Sequence, residues 1–326
     1  MPRRLTLFLL ICLLLAASLL GGCARGPQQK PGTSKVPPIP EAISKGAGVE
    51  PEIKVYFHEN GTIKPMQMED YIQGVVAGEM GPDWPENALA AQAILARTFT
   101  LQKIAEKPKL ENRDANASTD KNEFQAYDAA KVNDKIKQAV EKTRGKVIVY
   151  NGNYIRAWFH AYSGGKTATA EEGLNFKQGP VPYIQPVNDS QFDSAIPDEV
   201  KTWQASFPLE KLRSAAKEAS GQDPGKVSSV ALGPKTQSGR IESVKINELD
   251  VPANALRTAL DSTVFKSTML TQAQVQGGKA VFAGRGYGHG VGMSQWGARI
   301  MAEQGKSPED IVSYYFKDTS VVSLYK

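Results

Sequence analysis

Residues 68–104 read MEDYIQGVVAGEMGPDWPENALAAQAILARTFTLQKI. Glu69 and Asp70 favour a helix N-terminus, and Tyr71, Ile72, Val75 and Val76 follow at helical spacing, which predicts a helix over 68–79. Gly81-Pro82 interrupts it. Pro85, a good first-turn residue, then restarts a helix that is rich in alanine and nearly apolar on several faces. A helix with so little polar surface belongs at the centre of a core. The rest of the chain is therefore read as packing around 86–104.

Core-like sequence begins at Ile53-Lys54-Val55-Tyr56-Phe57 and runs to the end. A third helix, about 126–143, carries Ala129, Val132, Ile136 and Val140 on one side and stops at Gly145. Strand-like segments 146–150 and 154–159 flank Asn151-Gly152, a type I′ hairpin signal, and another alternating strand covers 240–246. Ser307-Pro308-Glu309-Asp310 opens a last helix, with serine as cap and proline first. Helices mixed with antiparallel hairpins predict an α+β fold, a single elaborate domain over 51–326 with a peripheral insertion near 187–226.

The N-terminus has a different character. Residues 1–22 combine a basic start with an apolar run that ends in Leu20-Gly21-Gly22-Cys23, shorter than the ~20 residues of a spanning helix. This ending resembles a bacterial lipobox, which implies a cleaved signal peptide and a lipidated Cys23 holding the protein on the outer face of the cytoplasmic membrane. An uncleaved membrane anchor is the other reading. Residues 23–50, rich in Pro, Gly and Lys, read as a tether. The remaining cysteine, Cys12, lies in the apolar run, so a mature body has no disulfide, thiol nucleophile or cysteine-bound zinc. A net charge of +5 without a Lys/Arg block argues against nucleic acid and suits an anionic polymer.

Residues 284–298, GRGYGHGVGMSQWGA, match neither the dinucleotide fingerprint nor a phosphate loop. As an extended segment they would show bare backbone on one face and Tyr287, His289 and Met293 on the other. Such glycines mark close approach by a ligand or another backbone, or a structural turn beneath a helix. Glu79 closes an apolar run with no basic neighbour. Buried there, its pKa would rise, as a general acid near neutral pH requires; otherwise it is a helix-end carboxylate in solvent. Arg97, in the alanine-rich helix, needs a carboxylate or substrate partner if buried, and otherwise snorkels to the surface. His58 reads as a surface turn residue. His160 and His289 keep glycine- and serine-rich company, and no metal-ligand spacing is present.

Taken together, several segments resemble the SpoIID/LytB (stage II sporulation protein D) family: EDYIQGVVAGEM, ENALAAQAILARTFTL, Phe124-Gln125-Ala126-Tyr127, FHAYSGGKTATAEE, SGRIESVKI, GRGYGHGVGMSQWGA and SYYFKDT. The resemblance implies a lytic transglycosylase acting on peptidoglycan glycan strands stripped of stem peptides, with Glu79 as catalytic acid and no cofactor. It offers Arg97, Gln125, Tyr127, His160, Ser163, Tyr287, His289 and Gln295 as substrate-binding residues. Glu79, His160, Ser163, His289 and Gln295 should then share one cleft. A hydrolase would need a second carboxylate, for which Glu171, Glu172 and Asp189 are candidates. A non-catalytic wall-binding enhancer of a partner amidase is the competing reading. Many family members carry a His/Cys set before Gln-x-Tyr, consistent with zinc. This chain has Asn112, Ser118, Glu123 and Phe124 there, so zinc is not carried over, and Gly78 before Glu79 suggests added backbone freedom.

Overall fold

A computed structural model describes residues 35–326. The signal segment, Cys23 and the first part of the tether lie outside the described residues. The α+β expectation holds: helices pack with small, mostly antiparallel sheets.

Strands β1 (Glu52–Phe57) and β2 (Thr62–Gln67) form a hairpin that leads directly into α1 (Met68–Glu79). After a short turn comes α2 (Glu86–Glu106), whose residues from Ala88 to Thr98 are all buried. Five of these are alanines, and their small side chains allow close approach from several sides at once. Helices α1, α3 (Asp134–Lys142), α7 (Gln295–Glu303) and α8 (Pro308–Tyr315) and strand β4 (Lys146–Tyr150) all pack on α2. It is the central buried helix read from the sequence.

Arg97 is also inside, and the structure corrects its assignment as a substrate contact. It is fully buried and its Nε donates to Glu69 Oε1 at 2.9 Å, while Nη1 donates to the Lys146 carbonyl at 2.9 Å. Glu69 also accepts from the Gly145 amide and from the Tyr325 hydroxyl. Burial would raise the Glu69 pKa, but the Arg97 guanidinium and these donors outweigh it and hold the carboxyl below its usual value. A guanidinium meeting an internal carboxylate has no need of solvent or ligand. The pair ties α1, α2, β4 and the C-terminus together.

Several boundaries differ from the sequence reading for identifiable reasons. Helix α3 begins at Asp134, where the Asn133 side chain caps the Ile136 amide, because residues 126–128 lie instead along α1. Strand β3 (Ala117–Ser118) pairs in parallel with β1. The hairpin turn has positive φ at both Asn151 (50°) and Gly152 (76°), as a type I′ turn requires. Its second strand, β5 (Asn153–Tyr154), is short because Phe159–His160 leave it to form β6, which pairs in parallel with β13 (Met293–Ser294). The tether also ends earlier than residue 50. Ile43 is buried, the Tyr154 hydroxyl donates to the Pro38 carbonyl, and Glu50 pairs with Arg144.

The expected insertion is larger than 187–226. A second hydrophobic core, built on Trp203, Phe207, Leu212, Val244, Leu256, Phe265 and Phe282, spans residues 203–282. Strand β7 (Thr202–Pro208) and helix α5 (Leu209–Ser220) open it, and β8 (Val230–Leu232), β9 (Ser243–Ile246) and β10 (Leu249–Pro252) form one sheet. Helix α6 (Ala253–Ala259) and strands β11 (Leu270–Gln276) and β12 (Lys279–Arg285) complete it, with β12 central between β11 and β7. Strand β12 then runs into the glycine-rich segment and so links the two cores.

Candidate active site

Glu79 is the last residue of α1, and its Oε1 accepts the Ala126 amide at 2.7 Å. That contact depends on glycine. A Cβ on Gly78 would lie 2.6 Å from the Tyr127 nitrogen, and one on Gly74 would lie 2.1 Å from the Tyr127 ring. The pair, four residues apart, makes a channel along α1 for residues 126–128. Gly78 therefore serves close approach rather than backbone freedom, since it sits in a regular helix.

The Glu79 carboxyl is pushed up to about 7 by burial, against opposition from the Ala126 amide, the Lys121 charge and the Gln295 amide. Gln295, the first residue of α7, also donates to the Glu79 backbone carbonyl at 3.2 Å. At neutral pH a large share of Glu79 is thus protonated, and the residue lines a groove of about 860 Å³. Phe99, Phe124, Trp158, Phe159 and Tyr287 line that groove with His289 and Gln125, and Lys103 and Lys121 add positive charge.

Both histidines of this region are neutral. His289 is pushed down to about 3 by burial and by Arg257 and Arg240; its Nδ1 accepts the Val291 amide. His160 is also held well below its usual value by burial and by its neighbours, with Nδ1 facing the Val291 carbonyl at 3.1 Å. Neither can act as an acid near neutrality. Two other carboxylates line the groove, but each is engaged. Glu123 pairs with Arg113, and Asp261 accepts from the Thr263 amide and hydroxyl, which hold its carboxyl below the usual value. Glu171, Glu172 and Asp189 are not among the residues that line it. Glu172 is locked in a capping box at the start of α4 (Ala170–Leu174), and Asp189 is buried with the Tyr315 hydroxyl 3.2 Å from its Oδ1.

The groove gathers Glu79, Gln125, Tyr287 and His289, with Gln295 just behind the acid. Other expected contacts stand elsewhere. The His160 ring packs against His289, 5.7 Å between centroids, but is itself buried and does not line the groove. Ser163 is fully buried, with its hydroxyl on the Gly165 amide. The Tyr127 ring stacks on Tyr71 and meets Phe57 edge-on, so it is a packing residue of α1. Lys103, Lys121 and Trp158 escaped the sequence reading because they lie outside the motifs and come from separate parts of the chain, and Phe159, which opens the FHAYSGG segment, was not singled out there. The Ala126 main-chain donor carries no side-chain signal.

The glycine-rich segment meets other protein atoms rather than open groove. Gly286, Gly288, Gly290 and Gly292 all have positive φ, between 72° and 109°. A Cβ on Gly290 would lie 1.9 Å from the Arg240 guanidinium, and one on Gly292 would lie 2.0 Å from the Trp158 carbonyl. Their purpose is tight seating against 158–164 and Arg240, which corrects the reading of bare backbone facing a ligand. Tyr287, bridged to Tyr162, and His289 are what the segment presents to the groove.

The positions of the family's His/Cys set do not suit zinc. Ser118 Oγ accepts the Asp120 amide, Glu123 holds Arg113, and Phe124 packs edge-on against Phe99 with Lys103 over its ring. An amide, a hydroxyl, a carboxylate already paired with Arg113 and a phenyl ring replace the thiolate and imidazole donors such an ion prefers. Hydrogen bonds of Asn116 to Lys54 and Pro108 hold the same loop.

These observations define an α+β protein with one protonatable carboxylate beneath an aromatic groove. The chain belongs to the stage II sporulation protein D family. The family model described as stage II sporulation protein matches residues 56–150, and one described as a domain of unknown function matches 187–292. The chain is 32% identical over 291 residues to stage II sporulation protein D of Bacillus subtilis (strain 168), covering 82% of this chain and 78% of that one. An uncharacterized protein of Brachyspira hyodysenteriae is 32% identical over 261 residues, 80% of this chain and 68% of its own. The amidase enhancer of Bacillus subtilis (strain 168) is 30% identical over 298 residues, 77% of this chain but 40% of its own.

Proposed function

We propose that this protein is a peptidoglycan lytic transglycosylase of cell-wall remodelling, with a role in sporulation. Glu79 gives its proton to the oxygen between N-acetylmuramic acid and N-acetylglucosamine, and the C1–O bond breaks. The sugar's own C6 hydroxyl attacks C1 of the oxocarbenium-like centre, and its proton returns to the Glu79 carboxylate. The product is a 1,6-anhydro end, and neither water nor a second carboxylate is consumed. The observation that carries this reading is Glu79 itself, an acid held near 7 by burial in a groove whose other carboxylates are occupied. Aromatic walls suit the apolar faces of sugars, and Lys103 and Lys121 suit an anionic strand. Cys23 would carry lipid and hold the protein at the outer face of the cytoplasmic membrane.

The likeness to an amidase enhancer supports a second reading, in which the groove binds wall glycan and a partner amidase does the cutting. Incubation of the protein with peptide-free glycan strands separates the two. Anhydro-muramyl ends that vanish in Glu79→Gln support the enzyme. Strand binding without any new ends, in an assay where a control enzyme makes them, leaves the enhancer. Reducing ends instead would indicate a hydrolase and direct attention to Asp261.

A further inference from the structure

Beyond His289 the groove has a side pocket that the cleavage step does not use. Its volume is about 300 Å³, and it shares Leu174 and His289 with the main groove. One wall comes from residues 173–175 and the other from α6 of the second core, with Asn254, Arg257 and Thr258. Among the described residues Arg257 forms no ion pair. Its Nε and Nη2 donate to the Lys266 and Ser262 carbonyls, at 3.1 and 3.2 Å. These two bonds fix the guanidinium at the pocket and leave Nη1 without an acceptor among the described residues. No carboxylate lines the pocket, whose other polar groups are the neutral Asn175, Asn254, Thr258, Thr268 and His289.

Further cations stand nearby, with Glu172 and Asp189 close enough to act on one of them, Arg240. Arg240, fully buried, also forms no ion pair among the described residues and spends its Nη groups on the Lys166 and Ser163 carbonyls and the Ser238 hydroxyl. Lys266 extends over the Tyr287 ring at the edge of the groove. A fixed, partly desolvated guanidinium with a free N–H and no counterion is a receptor for an anion, most strongly for a carboxylate. Charge without such a partner is costly to keep inside a protein. The burial that holds the Arg257 pKa down at about 10 is the same cost seen from the arginine.

We infer that this side pocket is an anion subsite, and that Arg257 in it receives the lactyl carboxylate of a muramic acid residue bound next to Glu79. This rests on the glycan-strand reading above and adds the residue that selects among strands. A free lactyl group presents a carboxylate to Arg257. One that carries a stem peptide presents a neutral amide and a chain too large for about 300 Å³. The pocket would thus make the second core, which a family model described as a domain of unknown function also matches, the part that recognises peptide-free muramic acid.

The test is binding of the full chain, in detergent and as Glu79→Gln so that strands stay intact. The probes are peptide-free strands and the same strands with their carboxyls converted to methylamides. The free strands should bind about tenfold or more tightly, the difference a charge-assisted hydrogen bond carries. Arg257→Gln should abolish that preference, and Arg257→Lys should keep part of it. If Arg257 only braces residues 262–266, lysine and glutamine will weaken both probes alike, and the proposal fails. Equal affinity of the parent protein for both probes overturns it too. Cleavage by the Glu79-bearing protein is scored separately: preference without cleavage sinks the transglycosylase, and cleavage without preference sinks the subsite.

Discussion

Helix α1 carries a glutamate near each end, and the two have opposite fates. Glu69, in the first turn, meets the buried guanidinium of Arg97 and accepts from Gly145 and Tyr325, so its carboxyl is ionised and held below the usual range. Glu79, in the last turn, meets the Ala126 amide, the neutral Gln295 amide and a more distant lysine, and burial drives its carboxyl up to about 7. Both are shielded from water, so burial alone does not make an acid. What separates a structural carboxylate from a proton donor is whether its charge has been answered by a partner. The length of one helix suffices to change that, because the N-terminal end faces α2 and the C-terminal end faces the groove.

The contrast is tested most severely at Glu79. Replacement by glutamine keeps shape and removes the proton, so cleavage should fall by roughly 10²–10⁴-fold while the fold persists. Chromatography of anhydro products, with circular dichroism beside it, checks both; residual activity near the parental level would remove Glu79 from the mechanism. Glu69→Gln should do the reverse. It strands the Arg97 charge inside the protein, and loss of one partner of a buried pair costs about 3–5 kcal/mol. Urea unfolding reads this directly, and Glu69→Met combined with Arg97→Met should recover much of the loss.

Acidity separates the two glutamates further. The folded pKa of Glu79 lies above its ordinary 4.5, so its favourable contribution is complete below that value and is lost as pH rises through about 7. Glu79→Gln should therefore gain stability over the parent between pH 5 and pH 8. The gain should reach about 3 kcal/mol at most, because each tenfold change in proton affinity is worth ~1.4 kcal/mol. Urea unfolding of both proteins across that range measures it. The same titration should switch cleavage off above neutrality. For Glu69 the sign inverts: its stabilisation is present above 4.5 and disappears as pH falls through its lowered folded value. The smallest effect is expected at Gln295, whose amide lowers the Glu79 pKa. Gln295→Ala should move the alkaline limb of the pH–rate profile upward; an unmoved limb would show that Gln295 does not tune the acid.

Much of this was legible along the chain. The helix expected over 68–79 has those bounds, and the Ser307-Pro308 start carries the capping box of Ser307 with Asp310. These signals are local, since periodicity and caps involve neighbours within a turn or two. Glu79 stood out for the same reason, as an acid in an apolar run. Arg97 did not show its partner, which lies 28 residues away. The positive φ values of the glycine-rich segment, and the atoms that demand them, were equally hidden, because Arg240 and Trp158 come from distant sequence. The second core was underestimated because its strands β7 to β12 are spread over residues 202–285 with helices and loops between them, and only their pairing assembles one hydrophobic interior.

Local chemistry along the chain was enough to define the central helix and the α+β class, and to single out Glu79 as a carboxylate in an apolar run with no basic neighbour. Those depend on side-chain periodicity and on what is missing nearby, both of which a linear chain displays. Folding was needed to pair Glu69 and leave Glu79 unpaired, to bring the Ala126 amide against Gly78, and to turn Tyr287 and His289 toward the groove that holds the acid. A pKa is a property of three-dimensional surroundings. The guanidinium or amide that fixes it is brought near only by the fold.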